Sequence, residues 1–231
     1  MSDPNWKERL IGYLENEDRE HAHQAALDAL ETGKTDIRTL YEDILAPALN
    51  RISGDEDREA ETIWREHVMT GIVRGIVESA FPYVMRERDA RGLASDEKVL
   101  VFCPVGEDHE LGARMAADYF LIWGYQAVFI GANTPEKTLL DAIARTSPAY
   151  VCVSVSNDFN LFAARRQVTD LRSRFGDALH ILAGGRAIAR NPHAWSELGA
   201  DRPLQTFEDI GRLRTGEAPS ADAADGREVQ A

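Results

Sequence analysis

The sequence predicts an α/β protein: a helical bundle over residues 1–90, then a Rossmann-type, doubly wound parallel sheet over residues 97–214, then a disordered tail over 215–231. Three observations predict it. Apolar residues in the first ninety positions recur at helical spacing. Past a charged stretch at 86–98, short continuous apolar runs alternate with helical patterns, as buried parallel strands and their crossovers do. The chain after Thr215 is small and acidic, too poor in apolar side chains to order itself.

The elements follow in order. Asp3-Pro4 starts a helix through Trp6, Leu10 and Tyr13, and Glu17 to Leu30 spaces Ala22, Ala25, Ala26, Ala29 and Leu30 helically before Gly33 stops it. Thr35 is the expected cap of a third helix with Ile37, Leu40, Ile44, Leu45 and Leu49 on one stripe. After Ser53-Gly54-Asp55, a long helix runs from about Asp57 towards Tyr83. Four helices with short breaks suggest an antiparallel bundle. Arg86 to Lys98 reads as a linker. Then come a strand at Val99–Val105, a helix at His109–Gly124, a strand at Ala127–Gly131, a helix at Pro135–Thr146, a strand at Tyr150–Val155, a helix at Leu161–Phe175 and a strand at His180–Ala183. A short helix at Pro192–Leu198, a short strand from Pro203 and a helix at Phe207–Leu213 complete the domain.

The formal net charge of -13 provides no basic patch for nucleic acid. No apolar run approaches the roughly 18 residues of a membrane span. The two cysteines, Cys103 and Cys152, both fall in apolar runs, so they read as buried hydrophobes of a cytoplasmic protein. His21, His23, His180 and the run Arg165, Arg166, Arg172 and Arg174 read as solvated or structural side chains. Trp123 and Tyr125 read as packing residues.

An open parallel sheet binds ligands beyond the carboxyl ends of its strands. Three features sit there: Gly106 to Gly112 after the first strand, Ser154-Val155-Ser156 after the third, and Gly184-Gly185 after the fourth. Two serines offer short hydroxyls that both donate and accept. Paired glycines let a bulky ligand approach the backbone. Glu107, two residues before His109, can hold one ring nitrogen and direct the other to a metal. The first loop has one glycine and the acids Glu107 and Asp108, so it lacks a phosphate-binding fingerprint.

Together, Glu107-x-His109-x-x-Gly112, Ser154-x-Ser156 and Gly184-Gly185 resemble the cobalamin-binding domain of the methionine-synthase type, a flavodoxin-like sheet behind a helical cap. The resemblance implies that the nucleotide tail of cobalamin leaves cobalt and inserts into the sheet, and that His109 replaces it as the lower metal ligand. It implies Glu107 as the partner of His109, and Gly106, Asp108, Gly112, Thr134, Ser154, Ser156, Gly184 and Gly185 as residues around the cofactor. Glutamate in place of aspartate at 107 resembles the light-sensing branch, typified by CarH- and LitR-like repressors. In that branch the helical domain covers the upper face of the corrin with a Trp, nine residues, then Glu-His. Here Glu66-His67 matches, whereas Glu56 stands at the Trp position and Asp57 at that of the following histidine.

A cap and cobalamin domain with no DNA-binding segment resembles two stand-alone types: the antirepressors, and the photocobilins that add a bilin such as biliverdin. The favoured expectation is a non-catalytic photoreceptor that binds adenosylcobalamin, and in the photocobilin case biliverdin without a covalent bond, and signals through a conformational change, oligomerisation or a protein effector. The alternatives are a corrinoid methyl carrier of a methyltransferase system, and an antirepressor that binds a transcription factor.

Overall fold

A computed structural model describes residues 5–53 and 60–218. The Asp3-Pro4 helix start, the Glu56 and Asp57 positions and most of the expected tail lie outside them. The described chain divides into two compact units, residues 1–90 and 91–231.

The first unit is helical. Helix α1 spans Trp6–Glu15 and α2 spans Arg19–Glu31. α3, Ile37–Leu40, runs through a π-helical turn at Tyr41–Leu45 into α4, Ala46–Ser53, and α5 is Ala60–Arg91. Carboxylates begin two of them: Asp18 accepts from the N–H of His21, and Asp36 accepts from that of Thr39. Asp36, rather than the expected Thr35, therefore caps α3: its carboxylate takes the orphan Thr39 N–H at 2.7 Å, while the Thr35 hydroxyl donates to the Asp36 carbonyl. Leu10, Leu14, Ala22, Ala26, Ile37, Leu40, Tyr41, Leu45, Val73, Ile76, Val77 and Val84 form the core; Leu14, in place of the half-buried Tyr13, and Tyr41 are additions to the helical-spacing sets, and Val84 continues that of α5. The stretch expected to be a linker is shorter than predicted. Arg86 to Arg91 continue α5, because Arg86 and Tyr83 both donate to Glu31 and Glu87 accepts from the N–H of Ile37. His23 also departs from the solvated reading. Its ring lies on the backbone of Gly75, where a Cβ would approach Nε2 to 2.4 Å.

The second unit holds five strands: β1 Lys98–Phe102, β2 Gln126–Gly131, β3 Tyr150–Ser154, β4 His180–Gly184 and β5 Arg202–Leu204. All pairings are parallel and the order is β2-β1-β3-β4-β5. The helices are α6 Leu111–Ile122, α7 Glu136–Thr146, α8 Leu161–Phe175, α9 Arg186–Arg190, α10 Ala194–Leu198 and α11 Phe207–Thr215. Strands β1, β3 and β4 are buried on both faces: Leu100, Phe102, Val151, Val153, Ile181 and Ala183 fill one side, and Val99, Val101, Cys152 and Leu182 the other. This is the flavodoxin-like order, and it places the switch point between β1 and β3. Helix α9 was not expected from the sequence; five residues are too few for a periodic signal. Arg172 is no idle surface charge either: it donates to the carbonyls of Gly176 and Leu179 and to Asp201 at 2.7 Å. Trp123 packs as expected, with Nε1 donating to the Phe207 carbonyl at 2.9 Å.

Candidate functional site

At the switch point, the segment after β1 turns back on itself. The Glu107 N–H donates to the Pro104 carbonyl at 3.0 Å, and Gly106 takes φ +85°, which suits a residue without a Cβ. The turn aims Glu107 inward, where it is fully buried. Five donors converge on its carboxylate. His109 gives its backbone N–H (3.0 Å) and Nδ1 (2.7 Å) to Oε1. Ser156 N–H (2.9 Å), Asn157 N–H (2.8 Å) and the Asn160 side-chain amide (3.1 Å) go to Oε2. One carboxylate thus joins the loop after β1 to the loop after β3.

Its charge state follows from that arrangement. Burial pushes the Glu107 carboxyl up, but the hydrogen bonds from His109, Asn157 and Asn160 outweigh it and hold the group near 2. An ionised carboxylate only accepts, so His109 must carry its proton on Nδ1. The lone pair is then on Nε2, the nitrogen that can coordinate a metal. The His109 side chain is 46% exposed, so the ring stands at the surface while its partner is buried. Among the described residues, no group of three or more His, Cys, Asp or Glu side chains is arranged to hold a metal. A single imidazole suits a metal whose other positions a macrocycle already fills.

The other predicted residues of this unit gather at the same strand ends. Gly106 donates its N–H to Asn133 at 2.9 Å, and Asp108 is exposed. Gly112 lies in the first turn of α6 and a Cβ there would meet nothing within 4 Å, so space is open beside the helix. Thr134 is buried and donates to the Gly131 carbonyl at 3.0 Å. Ser154 is buried at the end of β3, and its hydroxyl makes no hydrogen bond among the described residues. Ser156 uses its backbone, not its hydroxyl, on Glu107. The Gly184-Gly185 pair has a reason within the sheet itself. A Cβ on Gly184 would come to 2.6 Å from the Leu204 carbonyl, and one on Gly185, at φ +98°, to 2.4 Å from that of Val155. Glu66 and His67 belong to the helical unit, on α5, half-buried and exposed respectively.

Three side chains that tie these loops together escaped the sequence reading: Asn160, Asn133 and Gln167. Gln167 is buried on α8, accepts from the Val105 N–H at 3.1 Å and donates to the Thr134 carbonyl at 2.9 Å, so it ties the loops after β1 and β2 together. The available signal was polar amides at strand ends and one glutamine on the apolar face of a helix. Both cysteines are buried and unpaired with each other. Burial raises both thiols, Cys152 to about 12, so neither is a thiolate near neutral pH.

No protein-family model matches the chain. In sequence it is 25% identical over 177 residues to the HTH-type transcriptional repressor CarA of Myxococcus xanthus, covering 76% of this chain and 53% of the repressor. The chain thus spans about half the length of the curated relative it matches. In structure it is similar to the monomethylamine corrinoid protein of Methanosarcina barkeri, with a TM-score of 0.73 and 14% identity over 90% of this chain and 96% of the other. A cobalamin-binding protein of Desulfitobacterium hafniense aligns with a TM-score of 0.49 and 13% identity, over 90% of this chain and 97% of the other. The fold is therefore an α/β domain with an all-parallel five-stranded sheet, preceded in the chain by a helical region, as the sequence predicts.

Proposed function

We propose that this chain binds cobalamin at the carboxyl ends of β1, β3 and β4, with His109 as the lower ligand to cobalt, and that it acts as a photoreceptor or sensor. The observation that carries the reading is the His109–Glu107 pair, whose buried, ionised carboxylate fixes the Nδ1–H tautomer and so readies Nε2 for a metal. The surroundings fit the cofactor. Gly112 leaves open space beside α6, and the unpaired Ser154 hydroxyl stands ready to bond a tail. The likeness to a corrinoid protein and to a repressor of the CarA type supports the same reading.

Bound adenosylcobalamin would supply a light-sensitive cobalt–carbon bond. The protein's own contribution is to hold the imidazole, to accept the tail and to cover the opposite face. For the cover we assign Glu66 and His67 of α5. The same stretch of that helix exposes Ile63, Trp64 and Val68, an apolar strip suited to a flat ligand. A bilin such as biliverdin is the second chromophore we propose, and with both cysteines buried it is held without a covalent bond.

The test is to load the purified protein with adenosylcobalamin, with and without biliverdin, and record spectra before and after illumination. A light-dependent change is expected, and a bilin band in the second sample. No change with either ligand refutes the sensor. A second reading, a corrinoid methyl carrier, is favoured by the structural likeness to the monomethylamine corrinoid protein, and it predicts light-independent methylation of bound cobalamin by a partner methyltransferase.

A further inference from the structure

Among the described residues, three buried side-chain polar atoms have no hydrogen-bond partner: Tyr125 Oη, Arg202 Nε and Arg186 Nε. The first two lie at the amino ends of strands, Tyr125 just before β2 and Arg202 at the start of β5. Arg186 alone follows a strand, directly after Gly184-Gly185 at the carboxyl end of β4. It makes no hydrogen bond or ion pair among the described residues. Arg190, one turn further along α9, does reach a carboxylate, Asp158 at 4.0 Å. A guanidinium whose Nε is out of water and unpaired is a donor set awaiting an acceptor.

The charge around it narrows the choice of acceptor. The segments that join strand ends to the following helices carry Glu107, Asp108, Glu110 and Asp158 as acids. Arg186, two residues past the end of β4, is the cation that follows any of these strand ends most closely in sequence. An anion arriving here meets repulsion from the first loop and one partner of opposite sign. Ser154 stands opposite Gly184 in the β3–β4 ladder, so its unpaired hydroxyl and Arg186 sit on adjacent strand ends. A phosphate oxygen can accept from a hydroxyl and from a guanidinium, and these two donors come from neighbouring strands.

We propose that Arg186 binds the phosphodiester of the cobalamin nucleotide tail, so that this site selects complete, phosphate-bearing corrinoids over those cut short. The inference rests on the cobalamin reading above. In that reading the tail leaves cobalt and enters between the strands, and its one negative charge must travel with it past an acidic loop. Arg186 is the side chain that makes that passage favourable.

The test is equilibrium dialysis of the full chain, wild type, R186Q and R186K, against hydroxocobalamin, cobinamide phosphate and cobinamide. The wild type should prefer cobinamide phosphate to cobinamide, and that preference should shrink as salt is raised. R186Q should weaken hydroxocobalamin and cobinamide phosphate by about 10- to 100-fold and leave cobinamide within about 2-fold, the size of one charge-assisted hydrogen-bonding group. R186K should fall between, since it keeps the charge but loses the fork. An equal loss on all three corrinoids makes Arg186 structural and overturns the assignment. So does a wild type that binds both cobinamides alike, a result that needs no variant to fold. If the wild type takes up no hydroxocobalamin, the cobalamin reading itself fails; if it binds and R186Q is unaffected, only the Arg186 assignment falls.

Discussion

Replacing Glu107 with glutamine keeps the shape and removes one acceptor. The carboxylate serves five donors, two on Oε1 and three on Oε2. A glutamine has one oxygen and an amide that must face the other set. With its amide towards the loop after β3, the Asn160 side chain can flip to accept, but the Ser156 and Asn157 N–H groups stay buried without partners. With its amide towards His109, the backbone N–H of that residue is orphaned and the ring must switch its proton to Nε2, which removes the metal-binding lone pair. Each orphaned donor costs about 1–3 kcal/mol, so E107Q should destabilise the α/β unit by about 3 kcal/mol at pH 7. The pH dependence gives an independent check. The folded carboxyl sits near 2, below its ordinary 4.5, so its stabilisation is complete above about 4.5 and is lost as pH falls towards 2. That shift corresponds to about 3 kcal/mol, the same size as the hydrogen-bond count. The assay is urea denaturation with amide hydrogen exchange in β1, β3 and β4, which reports this unit by itself. The wild-type advantage over E107Q should be flat from pH 7 to 5 and shrink below. A difference that is small at pH 7, or that persists unchanged to pH 3, refutes the argument.

Other outcomes follow from the same geometry. H109A should bind cobalamin without the spectrum of a histidine-ligated cobalt; a persistent histidine-ligated spectrum would move the ligand elsewhere. G185A should destabilise by about 2–4 kcal/mol, because a Cβ at φ +98° lands on the Val155 carbonyl, and thermal unfolding reads the loss. G112A is the contrasting case. Nothing lies within 4 Å of its Cβ, so the unliganded protein should gain about 0.5 kcal/mol while cobalamin affinity falls, and a dialysis measurement that finds unchanged affinity would place the tail elsewhere. Q167L leaves the Val105 N–H and the Thr134 carbonyl unpaired and should cost about 2 kcal/mol in urea denaturation.

Much of the fold was legible because period and burial coincide. Tyr150–Ser154 and His180–Gly184 are apolar runs flanked by turn residues, and both are strands buried from their second residue on. Leu161–Phe175 forms over the predicted span. What escaped were features whose cause lies in another part of the chain. α5 extends to Arg91 because Glu31 and the start of α3 supply partners for Tyr83, Arg86 and Glu87, and nothing in the local charge pattern announces this. His23 is held against α5 because residue 75 is a glycine, a match made across 52 positions.

The sequence by itself determined the strand–helix alternation, the carboxyl-end loops and the pairing of Glu107 with His109, because each depends on residues close together along the chain. Tertiary structure decided how that pair is held. Oε2 of Glu107 is filled by amides about fifty residues away, at Ser156, Asn157 and Asn160, and only the parallel packing of β1 on β3 brings them there. The place of β4 between β3 and β5 gave Gly184 and Gly185 their reason, since what excludes a side chain at each is a backbone carbonyl of a neighbouring segment. Spacing along the chain names a ligand such as His109; the fold fixes its tautomer.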